Sequence, residues 1–377
     1  MPSSVVYSGN TGTYWPDDCS GDGFLRLIKI IVGSVVVVVL ALAAGGAVAI
    51  LMWDKAVVTA WSAEGGFPSD WISDIRSSSR VPGVFGAFTP SQPRDGNAAV
   101  PLLSDSSTLV GITGYREMSR KLALGDSLSV ADSSLIQTAL SDENVDSLLA
   151  SAAMADYDSY EVIAAGLQSS STLFDVPAPD LRRAIGLGSG ALVRAWWSIS
   201  NGTPDSALAN VVAVIRLGHM MYEGSSMLVG HAVGRMLIEQ GVSAFVAYAA
   251  AAQDSAATAV SAELRNWVDG LAELSGLIDG LVSNPDSAAA LILDSRVATP
   301  WRVEAMHQLV LSQFRPFTLL TGSTTDTRRV IESASRSNDH AVAGMAATGL
   351  ATLDAYDALG PVTRLRWLRG LQPDALH

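Results

Sequence analysis

Residues Ile30 to Trp53, IIVGSVVVVVLALAAGGAVAILMW, form a run of 24 without a charged side chain. As a helix rising about 1.5 Å per residue, this run is about 36 Å long, which exceeds the roughly 30 Å hydrocarbon core of a bilayer. A secretory leader usually has an apolar stretch of about 7 to 15 residues behind a basic start. Here the run is longer and follows a tail bearing Asp17, Asp18 and Asp22. The sequence therefore predicts an uncleaved transmembrane signal anchor. It divides the chain into a polar tail over 1–24, an anchor helix with its extension over 25–63, a Pro/Gly/Ser-rich linker or wrapping arm over 64–103, and an all-α domain over 104–377. Arg26 and Lys29 precede the run, and Lys55 is the one basic residue in the twenty positions after it. That bias predicts a cytoplasmic amino terminus and a periplasmic domain on a bacterial inner membrane.

Within the run, Ala41, Gly45 and Ala49 recur every four residues, a stripe of small side chains against which a partner helix could pack closely in lipid. The tail is too short for a core of its own, and Tyr7, Tyr14 and Trp15 are its candidates for gripping a partner.

A formal charge of −13 and a pI near 4.7 argue against nucleic acid, whose phosphates call for clustered Lys and Arg. The same balance disfavours broad docking on anionic lipid. Cys19 is the one cysteine, so an intramolecular disulfide and a Cys-based metal cluster are both excluded.

From about Ser104 the apolar residues fall at helical spacing, as in Val145, Leu148, Leu149 and Met154. Helix starts are marked at Asp142, Asp180, Thr203-Pro204-Asp205, Ser225-Ser226 and Asp254. Long helices are predicted over 225–252, 254–282 and 339–359, with a break at Asn284-Pro285-Asp286. Before these lies Asp180 to Glu223: a helix through ALVRAWWSIS, a turn at Asn201-Gly202, a restart at Asp205, and a second apolar face from Ala207 to Leu217. This unit resembles a tetratricopeptide-like helical hairpin. The resemblance covers about 45 residues and implies a solenoid-like scaffold of stacked helix pairs that offers a groove to protein partners.

Motifs for chemistry are sparse. Gly186-Leu187-Gly188-Ser189-Gly190-Ala191 has the outline of a nucleotide loop, but no strand precedes it. His219, Glu223 and His231 have ligand-type side chains at spacing that a metal site can use, yet His219 sits among Leu217, Met220 and Met221, the setting of a core histidine. The sequence thus predicts a protein that is not an enzyme and carries no cofactor: a single-span scaffold subunit stabilising a larger bacterial membrane complex. A bioenergetic assembly, such as a photosynthetic reaction centre with its antenna or a respiratory complex, is the leading class. The alternatives are a membrane-anchored periplasmic hydrolase or metalloprotein using the histidines, and an adaptor for soluble proteins.

Overall fold

A computed structural model describes residues 71–103, 114–167, 172–173, 176, 180–283, 285–313 and 325–358. All lie in Phe67–His377, the second of the two units into which the chain divides. Among the described residues the fold is all-α apart from one short pair of strands. One expectation is corrected: among the described residues no helix is long and apolar enough to cross a membrane, and what they form is a packed helical domain. The stretch 25–63 on which that helix was predicted lies outside the described residues.

The first elements are α1 (Trp71–Ser78), a 3₁₀ turn (Gly83–Phe88), β1 (Arg94–Asn97) and α2 (Ala99–Leu103). Proline and glycine keep these pieces short, while the apolar residues between them anchor the chain: Trp71, Ile75, Phe85, Phe88 and Leu102 are buried. There follow α3 (Tyr115–Leu124), α4 (Val130–Ser141), α5 (Glu143–Ala152), β2 (Met154–Asp156) and α6 (Ser159–Gly166). Strands β1 and β2 pair in parallel, Arg94 with Met154 and Asn97 with Asp156, so β1 uses one more residue than its partner. Such a bulge needs an unusual backbone angle, and Gly96 supplies it at φ 134°.

The centre of the domain is α7 (Arg182–Ser200), α8 (Asp205–Gly224) and α9 (Leu228–Ala252). Helices α7 and α8 form a hairpin whose turn places Gly202 at φ 72°. The glycine-rich stretch that outlines a nucleotide loop lies inside α7, where Gly188 makes room for Leu237 and Gly190 for Val145 and Tyr115. Those glycines serve helix packing. Helices α8 and α9 approach to backbone contact at Gly218 and Gly234, and their apolar faces join α2 to α5 in one core that includes Leu187, Val214, Leu217 and Leu237.

Asp254 caps α10 (Ser255–Asp269) through its Oδ1, which accepts from the Ala256 and Ala257 amides at 2.9 and 3.0 Å. The helix predicted over 254–282 is two helices, because the chain stops at Gly270 and restarts as α11 (Leu274–Ser283). Arg235 Nη1 donates to the Ala272 carbonyl exposed by that break, at 2.8 Å. Helices α12 (Pro285–Leu293), α13 (Thr299–Ser312), α14 (Thr325–Ala334) and α15 (His340–Asp357) complete the domain. With α1 and α11 they enclose a second core around Trp301, Met306, Val310 and Leu353.

Arginines from the long helices reach across to carbonyls at the ends of shorter ones, which have lost their helical partners. Arg194 donates to Ala139 O and Asp142 O at 2.7 and 2.8 Å. Arg216 donates to Ala152 O and Met154 O at 2.6 and 2.8 Å. Arg302 does the same for Ile292 O at 3.0 Å. These contacts fix α4, α5 and β2 against the central helices and α12 against α13.

Candidate functional site

The predicted partner-contact residues Ala41, Gly45, Ala49, Tyr7, Tyr14 and Trp15 lie outside the described residues. The histidine set lies within them and does not assemble. His219 and Glu223 are one turn apart on α8, with Nε2 and Oε2 at 3.1 Å, and the His219 ring stacks on Phe85 with centroids 4.5 Å apart and planes at 14°. His231, fully buried, faces elsewhere: its ring packs on Tyr222 at 3.8 Å and meets Trp301 edge-on at 6.0 Å.

Because the Tyr222 carbonyl only accepts, the 2.7 Å contact to His231 Nδ1 requires the proton on Nδ1. Nε2 therefore holds the lone pair, enclosed and without a hydrogen-bond partner among the described residues. Burial lowers this imidazole to about 4, so it is neutral at pH 7. Its setting is that of a core histidine. Among the described residues no group of three His, Cys, Asp or Glu side chains is placed to hold a metal ion.

Two concave sites stand out among the described residues. A cavity of about 430 Å³ is lined by Arg296, Thr299, Arg302 and Asp339 among others, and its cations are engaged. Arg296 holds Asp294 at 2.8 Å, while Arg302 bonds the Ser337 hydroxyl at 3.2 Å and lies 3.4 Å from Asp339. The larger site is a groove of about 630 Å³ where α3, α7 and α9 meet, within the usual range for ligand sites of about 300 to 1,000 Å³.

Its walls follow from helix periodicity. Arg116 and Arg120 stand one turn apart on α3 beside Glu117; Leu192 and Trp196 stand one turn apart on α7; Gln240 and Ser243 come from α9. The opposite sides of these helices are held in the core by Tyr115, Met118, Val193 and Leu237, so the groove is mounted on rigid elements. Leu192 is fully buried beneath the groove, and the half-buried Trp196 packed over it gives the groove its apolar floor. Arg120 reaches Glu117 through Nη2 at 2.8 Å and Nε at 3.2 Å. Arg116 is exposed and makes no hydrogen bond or ion pair with any described residue.

Sequence reasoning missed this groove because its three walls are separated by about seventy and about forty residues in the chain. The local signals existed: two arginines at i and i+4, and a tryptophan in the AWWSIS stretch. Nothing in the sequence says that they meet. The groove's lining also holds the Ser119 and Ser243 hydroxyls, and among the described residues neither is hydrogen-bonded to Glu117. Comparison of the chain with protein-family models, with curated proteins and with solved structures finds no match.

Proposed function

We propose that this chain is a non-catalytic scaffold that holds a protein partner on the face formed by α3, α7 and α9, as a subunit of a larger assembly. The observation that carries this reading is the groove itself, where a half-buried tryptophan and an arginine that no described residue engages are displayed on packed helices. Tryptophan and arginine are the side chains most enriched where protein interfaces concentrate their energy. The neutral, enclosed His231 adds support, since a histidine with its proton fixed on Nδ1 and its Nε2 sealed in the core is poorly placed for catalysis.

The test is the size of the native particle. The full-length chain, purified gently from its own cells, is separated by size and analysed by mass spectrometry beside the variant Ser243→Trp, which fills the groove from an exposed position. A fixed-stoichiometry complex for the wild type that dissociates in the variant is the expected result. A wild-type chain that runs alone, or a complex that the variant leaves intact, overturns the reading.

A further inference from the structure

Resting on the scaffold reading, we propose that the groove takes an acidic linear segment of a partner protein, with one large apolar side chain of that segment seated against Trp196. The argument begins with charge. Arg116 and Arg120 flank the floor beside Glu117; Glu117 and Asp126 both act on Arg120, while Arg116 is engaged by no described residue, on a chain whose formal charge is −13. An acidic segment is repelled by most of such a surface and attracted at this groove, which sets its position and register. At physiological salt, charges farther away than roughly 8 Å are largely screened, so the charges at the groove itself decide, and there Arg116 is the cation that no described residue opposes.

Arginine chemistry sharpens the assignment. The Arg116 guanidinium is a planar fork matched to a carboxylate, and no described residue occupies it. Arg120 commits Nε and Nη2 to Glu117 and keeps Nη1 for a second acidic group. On the far wall Gln240 and Ser243 are uncharged; the Gln240 amide offers both a donor and an acceptor to a peptide backbone. The floor between them is apolar at Trp196, which fits one inserted apolar side chain of the segment.

Fluorescence anisotropy with the full-length chain and labelled peptide probes tests this. The probes are Asp-Asp-Leu-Asp-Asp, its Asn-for-Asp and Lys-for-Asp analogues, and Asp-Asp-Gly-Asp-Asp. The first should bind most tightly, and Arg116→Glu should weaken it about tenfold while improving the lysine probe. Arg116 is exposed, so the variant should melt with the wild type, and circular dichroism verifies that. Equal binding of the Asn and Asp probes, equal binding of the Gly and Leu probes, or indifference to Arg116→Glu overturns the inference. If the native complex dissociates with Ser243→Trp while the acidic probe shows no preference, the scaffold reading stands and the acidic segment falls. If the native complex is absent, both fall.

Discussion

A Cβ placed on Gly234 would lie 2.7 Å from the Gly218 carbonyl oxygen, and one placed on Gly218 would lie 2.9 Å from the carbonyl oxygen of Gly234. The two glycines are therefore the contact at which the backbones of α8 and α9 touch. Because the obstructing atoms are backbone, no rotamer change relieves the clash, and the helices must separate. Gly234→Ala should destabilise the domain by about 2 kcal/mol, within the range for overpacking, although alanine is the better helix former. Urea unfolding of the variant checks this, and a gain in stability would show that the close approach is absent.

Burial of His231 makes folding sensitive to pH. Its imidazole ordinarily titrates near 6.5 and is lowered in the folded chain to about 4 by burial, so between these values the unfolded state binds more protons. Stability is complete above about pH 6.5 and falls as pH drops toward 4, by about 3 kcal/mol in all for a shift of this size. His307 is lowered by burial too and acts in the same direction. Replacing His231 with Gln, which keeps a donor for Tyr222 O, should cost stability at pH 7.5 yet flatten its decline between pH 6.5 and 4.5. An unchanged slope in urea titrations at these pH values would show that His231 does not carry the effect.

Arg216 is a buried cation held by neutral acceptors: Ala152 O, Met154 O and the Thr89 hydroxyl, the last at 3.0 Å. Burial lowers its pKa from the ordinary arginine value. Arg216→Ala leaves two carbonyls without their donor at the junction of α5 and β2, and a loss of about 3 kcal/mol is expected. Lysine reaches toward the same place with a compact ammonium in place of a fork, so Arg216→Lys should recover only part of the loss. Thermal unfolding of the three chains decides; full recovery by lysine would show that the fork geometry is irrelevant.

Much of the helical pattern is legible in the sequence because its signals are local. Asp142, Asp254 and Asp339 cap helices where their side chains accept from amides two or three residues on, and Asn201-Gly202 closes the central hairpin. The break at Gly270 is hidden, since Leu271 and Leu274 continue an apolar pattern across it and the capping hydrogen bond comes from Arg235, far away in the chain. The groove is hidden for the same reason: Arg116, Trp196 and Gln240 come from three helices whose adjacency is set by packing, with Gly188 and Gly190 deciding how closely α7 sits on its neighbours. The His219, Glu223 and His231 spacing illustrates the converse. Sequence proximity places them near one another along the chain, and the turn between α8 and α9 sends the His231 ring toward Trp301.

Asn97 joins the two strands to α6 with all of its side-chain capacity. Its Oδ1 accepts from the Ala99 and Asp158 amides at 2.9 and 2.8 Å, and its Nδ2 donates to Asp158 O and Glu161 Oε2 at 2.8 and 2.7 Å. Asn97→Asp keeps the shape and the acceptor while replacing both donor bonds by oxygen facing oxygen, one of them the Glu161 carboxylate. A loss of about 2 kcal/mol at pH 7 is expected, from unmet polar groups and like-charge repulsion. Protonating the new carboxyl restores one donor, so the deficit relative to wild type should shrink as pH falls toward 4. Asn97→Ala, which adds no charge, should show a deficit without that pH dependence. Chemical unfolding of the three chains at pH 7 and pH 4 separates the two effects, and a constant deficit in the Asn97→Asp variant would mean that charge at this junction does not matter.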